Sequence, residues 1–169
     1  GGDQILDHLL PRRDPRGDDA LRDAHSRRYQ QFWPQLRAFD GACELLRECS
    51  RSGVRVALAT SAGERDLRVM LDLLDCEDAV DVVLGADDVD ASKPGPDLVT
   101  EALGRLRVSP ADAVFVGDSV WDAVAARRAG VRCIGVACGG TSEADLLDAG
   151  MVAVHSGPRA AARRPRHAA

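Results

Sequence analysis

The chain has 169 residues (18.0 kDa), 45% of them hydrophobic and 29% charged, with a formal net charge of -5 and a pI near 5.3. This size and balance fit one soluble globular domain with a real core and room for a small appendage, and the acidic excess argues against a nucleic-acid-binding surface, which needs clustered positive charge. No apolar run approaches the roughly 18 residues of a membrane span, and the opening Gly1-Gly2-Asp3-Gln4 is neither basic nor apolar enough for a signal peptide, so a cytoplasmic protein without membrane partners is expected.

In chain order, Ile5 to Leu10 and Asp18 to Leu36 predict helices rich in Arg, Asp and Gln, the second with a broken apolar stripe through Leu21, Ala24, Tyr29, Phe32 and Trp33. Ala42 to Arg51 is a third helix, closed by Gly53. From Val54 onward short apolar runs alternate with amphipathic stretches, the pattern of a parallel α/β sheet. Val54 to Ala59, Val80 to Leu84, Ala113 to Val116, Val131 to Val136 and Met151 to Val154 are the predicted strands. Glu64 to Leu74, Pro96 to Leu106, Val120 to Ala129 and Glu143 to Ala149 are the predicted helices between them. Residues 156–169, Arg, Ala and Pro with little to bury, predict a disordered basic tail. The five cysteines form no C-x-x-C pair and have no histidines at zinc-ligand spacing, so they are expected to be reduced and mostly buried.

Ligands of an open parallel sheet bind beyond the carboxyl ends of its strands, which directs attention to three polar segments. Thr60-Ser61-Ala62-Gly63 follows the first predicted strand, Lys93 lies in the loop after the second, and Gly117-Asp118-Ser119-Val120-Trp121-Asp122 follows the third. Lys93 is the only lysine among 22 cationic residues. A chain that otherwise uses arginine is expected to keep one ammonium where a compact three-donor charge is needed, for which phosphate or carboxylate is the natural partner. A hydroxyl, an ammonium and two carboxylates at neighbouring strand ends suit a phosphate together with a hard, oxygen-liganded cation such as Mg²⁺. Each segment also has a plainer role: Ser61-x-x-Glu64 and Ser119-x-x-Asp122 both fit helix capping boxes, and Lys93 fits a solvated loop.

Together the three segments resemble the haloacid-dehalogenase-superfamily hydrolases of the phosphoglycolate phosphatase and β-phosphoglucomutase type. Val56 to Ser61 is similar to that family's second motif, Lys93-Pro94-Gly95-Pro96 to its third, and Gly117-Asp118-Ser119-Val120-Trp121-Asp122 to its fourth. The resemblance implies a Rossmann-like parallel core at 39–155, part of a helical cap at 1–38, and Mg²⁺-dependent hydrolysis of small phosphorylated metabolites through an aspartyl-phosphate. It assigns phosphate contacts to Thr60, Ser61 and Lys93, makes Asp118 a Mg²⁺ ligand and Asp122 a support of the metal shell. The family's first motif, an Asp-x-Asp at the end of an N-terminal strand, has no counterpart; the chain is therefore expected to be truncated within the cap, to lack the first core strand, and to be inactive alone. The one Asp-x-Asp present, Asp88-Val89-Asp90, is expected to be an acidic solvated loop. Within the superfamily, Asp118 disfavours dehalogenation, the lack of a cap lysine disfavours phosphonate hydrolysis, and Gly117 in place of Glu disfavours a mutase. A non-catalytic protein that keeps the phosphate and metal pocket is the competing class.

Overall fold

A computed structural model describes residues 18–89 and 93–163, and these divide into two units, 1–37 and 38–169. In the first, α1 (Asp18–Gln30) is followed by a 3-10 turn at Trp33–Gln35; the predicted helix at Ile5 to Leu10 lies outside the described residues.

The second unit runs α2 (Ala42–Arg51), β1 (Ala57–Ala59), α3 (Glu64–Leu74), β2 (Val82–Leu84), α4 (Asp97–Leu106), β3 (Val114–Gly117), α5 (Val120–Arg128), β4 (Arg132–Val136), α6 (Glu143–Asp148), β5 (Ala153–His155) and α7 (Pro158–Ala162). All strand pairs are parallel, as successive β-α units require. β1 pairs with β2, in register Ala57 to Val82, while β3, β4 and β5 form a separate sheet in that order. β1 and β3 therefore each keep one unpaired edge within these sheets. The strands are shorter than the apolar runs predict: Val54 is 56% exposed and its N–H is spent on the Cys49 carbonyl that closes α2, so β1 begins only at Ala57.

α4 joins the two sheets. Its Val99 packs in one buried cluster with Ala123, Ala126, Cys133, Leu146 and Met151, and its Leu98 and Ala102 pack in another with Leu84. Burying each of Leu84, Leu98 and Leu146, at most 1% exposed, contributes roughly 1.5–3 kcal/mol. Cys76 and Cys133 are buried, the other three cysteines half-buried, and all five are free thiols. Among the described residues no helix is long and apolar enough to cross a membrane.

The end of the chain corrects the expectation of a disordered tail from residue 156. Residues 158–162 form α7, which packs on α2, and Arg159 makes a two-pronged pair with Asp40, both bonds 2.7 Å. Residues 164–169 lie outside the described residues.

Candidate functional site

β3 has one exposed face, carrying Val114 and Val116 (43% and 44% exposed), and one face, carrying Phe115 and Gly117, turned toward α5. The chain then turns sharply through Asp118 and Ser119 into α5. Here the capping box forms as the sequence predicts: Ser119 Oγ accepts from Asp122 N–H at 3.3 Å, and Asp122 Oδ2 accepts from Ser119 N–H at 3.1 Å. The same Oδ2 accepts from Ser119 Oγ at 2.7 Å and from Asp118 N–H at 3.2 Å.

The other oxygen, Oδ1, accepts from Lys93 Nζ at 2.8 Å. The capping role and the site role are thus divided between the two oxygens of one carboxylate. The side chains of Asp122 and Lys93 are only 5% and 17% exposed, so Lys93 is no solvated loop residue. Burial, the largest single influence on Asp122, pushes its carboxyl upward, but the Lys93 charge and the surrounding donors outweigh it and hold it below the ordinary carboxylate range. The loop around Lys93 is tied to the far end of the same helix, where Arg128 donates to the Pro94 carbonyl at 2.8 Å.

Two glycines make room for this arrangement. A Cβ on Gly117 would lie on the Asp122 side chain, 2.7 Å from Cγ and 2.8 Å from Oδ2, and a Cβ on Gly139, in the loop after β4, would collide with the Asp118 carboxylate. Asp118 is the remaining acid. Burial first, and the neighbouring Asp122 charge second, raise its carboxyl above the usual value, so its ionised form lacks compensation that a cation would provide.

The donor set constrains a Mg²⁺ ion. Both oxygens of Asp122 are engaged, Oδ1 by Lys93 and Oδ2 by Ser119 and the Asp118 N–H, so it holds the Asp118 backbone in place. Among the described residues no group of three or more His, Cys, Asp or Glu is arranged to hold a metal. Asp118 alone fits as a ligand, which is compatible with an ion that is commonly held by one or two carboxylates, water and substrate phosphate.

Thr60 and Ser61 stand at the carboxyl end of β1, in the other sheet. Thr60 Oγ1 accepts from Ala62 N–H at 3.1 Å. The Ser61 capping box does not form, because α3 starts at Glu64 with Gly63 as its cap; Ser61 Oγ is instead buried with no hydrogen-bond partner. Asp88 is exposed, as expected, and its Oδ2 accepts from Gly85 N–H while its Oδ1 pairs with Arg105, both at 2.8 Å; Asp90 lies outside the described residues. Phe115, Arg128 and Gly139 carry parts of the site that motif spacing did not single out, although Gly139-Gly140 after an apolar strand is itself a signal of close approach.

The family profile of the haloacid dehalogenase-like hydrolases matches residues 3–136, and the chain belongs to that family. Its core has the Rossmann-like arrangement of that group: a hydrolase from Pseudomonas syringae superposes with a TM-score of 0.90 at 26% identity, over 96% of this chain and 76% of that one. CbbY from Rhodobacter sphaeroides, solved in complex with phosphate, gives a TM-score of 0.72 at 25% identity over 94% of this chain and 74% of that one. Among curated relatives, validoxylamine A 7'-phosphate phosphatase of Streptomyces hygroscopicus subsp. limoneus is 32% identical over 68% of this chain and 53% of its own length. Phosphoglycolate phosphatase 1 of Pseudomonas aeruginosa is 34% identical over 60% of this chain and 37% of its own length. The chain spans about half or less of these two curated relatives.

Proposed function

We propose that this chain carries the phosphate- and metal-binding part of a Mg²⁺-dependent phosphomonoester hydrolase acting on small phosphorylated metabolites through an aspartyl-phosphate. The observation that supports this most is the Lys93 ammonium held by the buried Asp122, whose other oxygen accepts from the backbone N–H of the under-compensated Asp118. Lys93 neutralises charge on the transferring phosphoryl group, and because Asp122 fixes it beforehand, little reorganisation accompanies the reaction. Ser61 Oγ, buried without a partner, and Thr60 Oγ1 are hydroxyls positioned at a strand end to donate to phosphoryl oxygens. Asp118 would hold the Mg²⁺ ion, which supplies further neutralisation of phosphate charge.

In this proposal the nucleophile is a carboxylate that the sequence as given does not supply, and Asp88, in its one Asp-x-Asp, already commits its oxygens to the Gly85 N–H and Arg105. That commitment also favours a second reading for the chain as it stands, a phosphate-binding unit without turnover. The test compares the 169-residue chain with a version extended at its amino end by an apolar strand ending in Asp-x-Asp, measuring phosphate release from small phosphomonoesters with and without Mg²⁺. Turnover by the extended form alone supports the proposal. Turnover by the short chain would overturn the placement of the nucleophile, and silence from both would favour the binding role.

A further inference from the structure

Phe115 and Gly117 are alternate residues of β3 on the face turned to α5, about 6.7 Å apart along the strand. Asp122 rests over Gly117, in the space a Cβ would fill. Lys93 Nζ lies over the Phe115 ring, 5.6 Å from its centroid, and reaches sideways to Asp122 Oδ1 at 2.8 Å. The acid and the ammonium are thus carried on adjacent seats of one strand face.

A single bond to Oδ1 leaves a lysine head free to swing about that oxygen, since its stem has four rotatable carbons and its ammonium no preferred plane. An aromatic face supplies the second constraint. Its quadrupole attracts the cation from a direction different from the carboxylate's, and does so more strongly where water is largely excluded, as it is for a side chain 17% exposed. Phe115 is itself fixed by packing against the buried cluster around Ala126 and Cys133.

We propose that Phe115 is a positioning residue for Lys93: its ring holds the ammonium where Asp122 and an incoming phosphate oxygen both reach it. The consequence for phosphate rests on the function proposed above, whereas the coupling between ring and ammonium does not.

The test is a double-mutant cycle on the full chain with Phe115→Leu and Lys93→Met, and Phe115→Tyr as the variant that keeps a ring. Binding of inorganic phosphate is measured by calorimetry, and urea unfolding is measured without ligand. Phe115→Leu is expected to weaken phosphate binding about three- to tenfold when Lys93 is present. It should have no effect on the residual binding when Lys93→Met is already in place, and Phe115→Tyr should retain the parent affinity. In unfolding, the midpoint lost through Phe115→Leu should be larger with Lys93 than with Lys93→Met. Equal losses in both backgrounds would make Phe115 a packing residue only and overturn the proposal. If the parent binds no phosphate, the function proposed above fails, and the unfolding cycle still decides the positioning role: non-additive midpoints sustain it and additive midpoints remove it.

Discussion

The side chain of Asp122 occupies the volume that a methyl group on Gly117 would need. Gly117→Ala is therefore expected to push Asp122 off β3 and separate it from Lys93. Overpacking of this kind costs about 1–3 kcal/mol, and urea unfolding should show it as a lower midpoint with an unchanged slope. Loss of phosphate binding should accompany it.

Asp122→Ala removes one partner of a nearly water-free pair. An ammonium left without its counter-charge is expected to cost about 3–5 kcal/mol, far more than an exposed ion pair. If unfolding shows a loss below about 1 kcal/mol, the Lys93 head has another way to reach water or charge.

Lys93→Arg keeps the charge but replaces a compact head with a planar fork. Seated between Phe115 and Asp122, the larger group is expected to displace the phosphate position, so that phosphate affinity falls by about tenfold or more, a loss on the order of 1.4 kcal/mol. Calorimetry against Lys93→Met measures how much of the site's affinity an arginine recovers.

Asp118→Asn separates metal binding from folding. Burial already disfavours the ionised carboxyl, so the amide should unfold no more easily than the parent while Mg²⁺ binding falls sharply. Equal Mg²⁺ affinity for parent and variant would remove Asp118 from the metal position.

The α2–α7 contact has a pH signature. The Arg159 guanidinium beside Asp40 holds that carboxyl below its ordinary value, so its contribution is present above the unfolded carboxylate range and is lost as pH falls through the lower folded value. Protection of the amides of residues 159–163, measured relative to their intrinsic exchange at each pH, should fall on acidification, and Arg159→Ala should abolish that pH dependence of the protection. The pair is solvent-exposed, so global stability should barely change.

Much of this is legible in the sequence. Lys93 stood out because composition isolated it, and Asp118 to Asp122 because a strand-end carboxylate pair and a capping box share one spacing. What stayed hidden depended on distance in the chain. Phe115 in an apolar strand reads as ordinary core, and only the approach of residue 93 gives its ring a second task. Ser61-x-x-Glu64 satisfies the capping pattern, yet Asp87 Oδ2 accepts from the Glu64 N–H at 3.3 Å and the helix starts three residues beyond Ser61, with Gly63 as its cap. Residues 158–162 carry little apolar signal beyond alanine; they are placed by packing on α2 and by a guanidinium meeting a carboxylate 119 positions away, neither of which local pattern can encode.

Asp40 and Arg159 also bring the two ends of the second unit face to face, with Gly41 (φ +79°) so close to Arg159 that an added Cβ would stand 2.5 Å from the Arg159 Cβ. A unit whose beginning and end already touch can be rewired: joining residues 38 and 163 by a short linker and opening the chain in the exposed turn between α4 and β3 should preserve every strand pair. Such a permuted protein would carry β3, α5 and Asp118 at its start and Lys93 near its finish, turning the meeting of Lys93 with Asp122 from a contact 29 residues apart into the last closure of the fold.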